Sequence, residues 1–130
     1  NALNVSTIKG DAFDVLTSLH EQGRKFDVVV IDPPAFIKRK KDIPKGEAAY
    51  KRLNQLAMQL VQRDGLLVSC SCSYHLETVM LVDAIQRAAR HLNRFAQIIE
   101  VGGQSPDHPV HPAITETRYL KSFIVRVVAD

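Results

Sequence analysis

Two short segments concentrate the residue types that do chemistry. Asp32-Pro33-Pro34-Ala35-Phe36 follows the apolar run Phe26–Ile31, and Ser71-Cys72-Ser73 follows the apolar run Leu66–Cys70. A carboxylate at the end of a buried strand is costly unless it is hydrogen-bonded or used, so Asp32 either caps a nearby turn or acts. Pro33 and Pro34 stiffen the backbone and remove two N–H donors. The result is an acceptor-rich edge able to grip a planar base through its exocyclic amine, with Phe36 as a stacking surface or as ordinary core. Cys72 lies just past its strand, where a thiol of lowered pKa is a capable nucleophile. The plainer reading, a small buried hydrophobe, suits Cys70 better, because Cys70 lies deeper in the strand. His75 is a candidate base, although an exposed position in the first turn of the next helix is the simpler reading.

Elements that alternate between β-branched runs and helical periods must position these segments. Val5–Ile8 is a short strand candidate. Asp11 caps a helix running to about Gln22, with Val15, Leu16 and Leu19 on its apolar face, and Gly23 stops it. FDVVVI (26–31) is continuously apolar, as expected of a parallel strand covered on both sides, and Asp32-Pro33-Pro34 ends it. Residues 35–46 read as an irregular basic loop. Glu47–Gln62 is helical through Leu53, Leu56, Ala57, Leu60 and Val61. Asp64-Gly65 is a turn before the strand Leu66–Cys70. Leu76–Leu92 is a second amphipathic helix, using Leu76, Val79, Met80, Ile85, Ala88, Ala89 and Leu92. Phe95–Val101 is a strand, Gly102–Thr117 a long loop with three prolines, and Leu120–Val128 a closing strand. No helix separates the last two strands, so they should pair antiparallel. This order is α/β, and in open parallel sheets ligands sit outside the carboxyl ends of the strands. Both chemically loaded segments fall there, on strands expected to be neighbours.

Composition narrows the class. The 130 residues, 45% hydrophobic and 24% charged, suit one domain with a real core and exclude a disordered chain. No apolar run approaches the ~20 residues needed to cross a bilayer, so no membrane partner is expected. The chain opens Asn1-Ala2-Leu3-Asn4, which is read as the start of a processed or excised piece. Cys70 and Cys72 are the two cysteines. Two apart on a strand, their Cα atoms would be ~6.5–7 Å apart, at or beyond disulfide reach, so a reducing, cytoplasmic setting is expected. Asp107, His108 and His111 lie in a proline-rich loop rather than on a helix, and no metal is expected. Net charge is +3, and seven of the seventeen Lys and Arg fall at Lys38, Arg39, Lys40, Lys41, Lys45, Lys51 and Arg52. Such a run is either a solvated face or a phosphate-contacting patch.

Asp-Pro-Pro-Ala-Phe after FDVVVI, with Ser-Cys-Ser after the following strand, resembles the class I S-adenosylmethionine-dependent methyltransferases. More closely, it is similar to the C-terminal part of the large-subunit ribosomal RNA cytosine-C5 methyltransferases that carry an N-terminal PUA domain. Gly10-Asp11-Ala12-Phe13-Asp14 resembles that family's adenine-binding turn, and Asp107-His108-Pro109-Val110 and Tyr119-Leu120-Lys121-Ser122-Phe123 its closing segments. The resemblance implies a Rossmann-like fold, a mostly parallel sheet with an antiparallel C-terminal hairpin, and one domain over 1–130 truncated at its N-terminus. It implies S-adenosylmethionine as methyl donor, bound by Asp11, Ala12, Phe13, Asp32 and Pro33. It makes Cys72 the nucleophile and Asp32 its catalytic partner on the base. Pro34, Phe36, Lys38, Arg39 and Lys40 would contact ribosomal RNA.

The family's glycine-rich first turn, its ribose-binding acid and its PUA domain are absent, so this stretch alone is expected to be inactive and to bind the donor weakly. In the family's sheet, two strands absent here separate Val5–Ile8 from the strand ending at Asp32. Without them, Val5–Ile8 is expected to pair with Val28–Ile31 or with a second copy, and a homodimer through exposed sheet edges is one expectation. Two other readings compete. One is a base amino- or ring-nitrogen methyltransferase that uses DPPAF without a cysteine nucleophile. The other is a noncatalytic RNA-binding domain relying on Lys38–Arg52.

Overall fold

Asp11 opens the first helix as its spacing predicts. Its extended backbone and its Oδ1, which accepts from Phe13 N at 2.9 Å and Asp14 N at 3.2 Å, satisfy two of the free N–H groups of α1 (Ala12–Glu21). Gly23, at φ 70°, ends the helix in the left-handed conformation that glycine adopts without strain. The computed structural model describes residues 4–129; residues 1–3 and 130, the ends of the expected 1–130 domain, lie outside them. The remaining elements are β1 (Phe26–Ile31), α2 (Ile43–Met58), β2 (Val61–Ser71), α3 (Thr78–His91), β3 (Arg94–Gly102) and β4 (Lys121–Ala129). Single 3-10 turns occupy Lys40–Asp42 and Thr115–Thr117.

The strands form one mixed sheet in the order β1-β2-β4-β3. β1 and β2 are parallel neighbours, β2 and β4 antiparallel, and β3 and β4 antiparallel. The α/β class and the antiparallel C-terminal pair are therefore present as expected. The chain places β4 between β2 and β3, so the last strand borders the strand that leads to Cys72.

Helices α2 and α3 pack on one face of the sheet. Leu67, Phe123, Val125 and Val127 point into this layer and meet Leu53, Ala57, Met58, Leu81, Ile85 and Ala88. The opposite face lies open: Val28 and Val30, on alternate positions of β1, are 52% and 62% exposed. The expectation that FDVVVI is covered on both sides is corrected accordingly. Its apolarity, broken by the exposed Asp27, reflects two faces able to be buried, and among the described residues helices cover one of them.

Val5–Ile8 forms no strand. It is irregular and exposed, and it pairs with neither Val28–Ile31 nor any other described strand. Four β-compatible residues make no ladder without an adjacent edge in register, and Gly10-Asp11 directs this segment toward the mouth of a cavity instead. Helix α2 starts at Ile43, four residues earlier than Glu47, because Pro44 occupies its first turn, where a missing N–H costs nothing. It stops at Met58, and Val61 already pairs with Phe26. Asp64-Gly65 sits inside β2 rather than before it. Asp64, at φ 60°, lies in the irregular stretch where the register jumps from Phe26↔Val61 to Val28↔Leu66. Arg94 braces this stretch, donating to the carbonyl oxygens of Met58 at 3.0 Å, Val61 at 2.9 Å and Gln62 at 3.1 Å. In α3 the buried stripe is Leu81, Ala84, Ile85, Ala88 and Ala89, while Val79 is exposed. Choosing Leu81 rather than Val79 keeps the stripe on one 3.6-period face.

Candidate active site

The parallel pairing of β1 and β2 aligns Ile31 with Ser69, which brings the Asp32-Pro33-Pro34 corner beside the end of β2. Cys72 meets it there: its thiol donates to the Pro33 carbonyl oxygen at 3.7 Å, and the side chain is half-buried. The sulfur is thus beside the acidic corner and within reach of solvent, not sunk in the core. Asp32 and Pro34 are exposed, and Pro33 between them is buried.

The corner is rigid because the opposite face of β2 is tied down. Ser71 Oγ donates to Tyr50 Oη at 3.0 Å, and Tyr50 Oη and Ser73 Oγ lie 2.7 Å apart. Ser69 Oγ donates to Asn54 Oδ1 at 2.6 Å, and Asn54 Nδ2 donates to the Tyr50 carbonyl oxygen at 2.8 Å. All five side chains are buried. The network also reaches the loop after Pro34, since Ile37 N donates to Ser73 Oγ at 3.3 Å. Ile37 lies so close over Gly46 of α2 that a Cβ there would collide with it. Sequence reasoning missed this support. Its signal is Tyr50 and Asn54, i and i+4, inside the apolar stripe of α2, opposite serines at every second position of β2.

A cavity of about 600 Å³ opens on the other side of the corner. Asp11, Ala12 and Phe13 line it from the start of α1, and Asp32, Pro33, Pro34 and Phe36 from the loop after β1; Ile8 and Val30 complete its apolar wall. The five residues expected to hold a methyl donor and two of those expected to meet the substrate therefore share one cavity. Phe13 lies between Phe36, with ring centroids 6.3 Å apart, and the Arg52 guanidinium, 4.9 Å from its ring centre. Phe36 also packs edge-on against Tyr50 at 5.0 Å, so one side of its ring is core. Asp11 Oδ1 serves the helix cap, and the carboxylate is exposed.

Lys38, Arg39 and Lys40 are exposed on the loop that leaves the corner, and Arg39 pairs with Asp42 at 3.2 Å. Cys70, on the same face of β2 as Cys72, donates to Ser122 Oγ at 3.5 Å and is half-buried rather than deep in the core. A strand whose outer face is uncovered does not bury it. His75 is half-buried, packed edge-on against Tyr74 with centroids 5.4 Å apart. His108 pairs with Asp107 at 3.1 Å. Lys121, which sequence reasoning left without a role, donates to the Ser73 carbonyl oxygen at 2.9 Å. Among the described residues no helix is long and apolar enough to cross a membrane.

No protein-family model matches the chain. It is 39% identical over 129 residues to ribosomal RNA large subunit methyltransferase I of Aeromonas salmonicida, a match covering 97% of this chain and 33% of that protein. To the protein of the same name from Klebsiella pneumoniae it is 38% identical over 131 residues, covering 98% and 33%. The chain thus spans about a third of the length of these curated relatives. Among solved structures, a proposed SAM-dependent methyltransferase from Streptococcus mutans superposes with a TM-score of 0.79 at 16% identity, covering 97% of this chain and 32% of that one. NSun6 from Pyrococcus horikoshii, solved with SFG, superposes with a TM-score of 0.65 at 17% identity, covering 98% and 36%. These likenesses show that the chain has the α/β fold of such methyltransferases.

Proposed function

We propose that this chain is the catalytic C-terminal portion of an S-adenosylmethionine-dependent ribosomal RNA methyltransferase that forms 5-methylcytosine through a covalent bond to Cys72. The observation that carries this reading is the Cys72 thiol 3.7 Å from the Pro33 carbonyl oxygen, on a corner that also walls the cavity. A nucleophile and a ligand cleft so share one rigid boundary. The sequence likeness to large-subunit rRNA methyltransferases supports the substrate class.

The cavity fits the donor. Asp11 keeps one carboxylate oxygen for an adenine amine, Phe13 offers a flat apolar surface, and Asp32 and Pro33 border the end nearest Cys72. When bound there, the donor supplies an electrophilic methyl group. The rest is work for the chain's own residues. Cytosine C5 is a poor nucleophile. Addition of the Cys72 thiolate to C6 forms an S–C6 bond and pushes an electron pair through the ring toward N3 and O2, which makes C5 an enamine-like nucleophile that accepts the methyl. The Asp32 carboxylate can accept from the N4 amine and so orient the base. Loss of the C5 proton to a base then returns the electron pair, the S–C6 bond breaks, and the thiolate is regenerated. Covalent catalysis of this kind divides one hard step into two easier ones. Lys38, Arg39 and Lys40, all exposed, would meet RNA phosphates, and a reducing compartment such as the cytoplasm suits a free catalytic thiol.

The test is methylation of ribosomal RNA by the complete natural polypeptide, with modified bases mapped. Formation of 5-methylcytosine that disappears in Cys72→Ser supports the proposal. Methyl groups on base nitrogens, unaffected by that substitution, overturn it in favour of direct transfer.

A further inference from the structure

We propose that Arg52 is a positioning residue for the methyl donor: its guanidinium, seated on the Phe13 ring, fixes the aromatic wall of the cavity against which the donor's adenine lies. The inference rests on the reading of that cavity as the donor site and on nothing about Cys72.

The wall needs fixing. Asp11, Ala12 and Phe13 stand together at the start of α1, and α1 has no buried residue. It packs against α2, and elements with few buried contacts open at low cost. The Asp11 cap holds the backbone of the first turn. The Phe13 side chain is half-buried and takes its place from its neighbours. One neighbour is Phe36, with ring centroids 6.3 Å apart and planes tilted by 35°. Phe36 is itself anchored edge-on to the buried Tyr50 at 5.0 Å. The other is Arg52, whose guanidinium carbon lies 4.9 Å from the centre of the Phe13 ring. A cation at this distance over an aromatic face is attracted by the ring quadrupole, and a planar guanidinium suits that face.

Arg52 is free for this task. Ion pairs among the described residues join Arg39 to Asp42, Arg87 to Asp83 and His108 to Asp107, and none takes Arg52. On α2, Arg52 lies between Tyr50, which meets Phe36, and Leu53, which lines the cavity. Arg52 itself does not line the cavity while Phe13 does, so the cation backs the ring and leaves the ring's remaining surface to the ligand. The basic run from Lys38 to Arg52 therefore divides. Lys38, Arg39 and Lys40 stand exposed on the loop after the corner, and Arg52 serves the cavity. A ring held in place before the donor arrives loses less freedom on binding.

The experiment is a double-mutant cycle on the complete natural polypeptide, read by calorimetric titration with S-adenosylhomocysteine. Arg52→Met keeps an apolar stem and removes the cation; Phe13→Leu removes the ring. The expected result is that Arg52→Met weakens binding about fivefold and has no further effect once Phe13 is Leu. In turnover the loss appears in the KM for the donor rather than in kcat. An Arg52→Met variant of parental affinity overturns the proposal. Equal weakening in both backgrounds does so too, since Arg52 would then act independently of Phe13. A raised KM for RNA with donor affinity intact also overturns it and assigns Arg52 to phosphate contact. Should Phe13→Leu bind too weakly to titrate, Arg52→Lys decides: affinity near the parent's supports the proposal, and affinity as low as that of Arg52→Met overturns it. A parent that binds no S-adenosylhomocysteine removes the donor site and this proposal together. Absence of 5-methylcytosine formation with the cycle as expected would sink the covalent reading and leave the role of Arg52 standing.

Discussion

From Ser69 in β2 to Ser73 just past its end, serine and cysteine alternate, and the two sides meet opposite surroundings. Ser69, Ser71 and Ser73 turn toward α2, where they are buried and every hydroxyl finds Tyr50 or Asn54. Cys70 and Cys72 turn toward the uncovered face and stay half exposed. Buried polar groups are tolerated when fully bonded, and they then fix one arrangement. The serine face therefore gives the strand tip its rigidity, and the cysteine face offers a thiol at a fixed place beside the Asp32-Pro33-Pro34 corner. Structure and reactivity are separated by a period of two.

Substitutions should separate the faces. The largest effect belongs to Cys72→Ser: turnover of the complete protein falls by about 10³-fold or more with the melting temperature little changed. Cys70→Ser, on the same face but bonded to Ser122, keeps activity within about twofold. Equal losses in both would break the distinction between them. On the serine face, Tyr50→Phe leaves Ser71 and Ser73 without their phenol partner and costs about 1–3 kcal/mol, read as a lower urea midpoint with an unchanged slope. An unchanged midpoint would show that the network does not hold the strand tip. Gly46→Ala tests the link between corner and helix. Its new Cβ collides with Ile37 and should cost about 1–2 kcal/mol, with weaker protection from hydrogen exchange over residues 35–38. The smallest effect is at Asp11, where alanine removes the helix cap for about 1 kcal/mol. Asparagine preserves the cap, yet both variants should weaken S-adenosylmethionine binding by calorimetry. An Asn variant that binds as tightly as the parent would confine Asp11 to capping.

The sequence carried the site's chemistry more clearly than its support. Asp32-Pro33-Pro34 and Ser71-Cys72-Ser73 end two apolar runs joined by one helix, and the pairing of β1 with β2 follows from that order. Asp11 was readable as a cap because a short acceptor precedes a helical period. Other features depend on contacts distant in the chain. The insertion of β4 between β2 and β3 is decided by which edge is free, not by local pattern. The course of Val5–Ile8 depends on a neighbour that local propensity does not name. Pro44 disguised the start of α2 as loop. Lys121 reaches the Ser73 carbonyl through the register Ser71↔Lys121, fifty residues apart in the chain, and looks in isolation like any lysine at a strand's start.

The most direct measurement is trapping. RNA carrying 5-fluorocytidine has no C5 proton to lose, so a thiol that has added at C6 and received a methyl on C5 cannot leave. Incubated with S-adenosylmethionine and the complete polypeptide, it should give a stable protein–RNA adduct whose peptide mass maps to Cys72. Methylation of ordinary RNA with no such adduct, or an adduct at another residue, would contradict a covalent mechanism through Cys72.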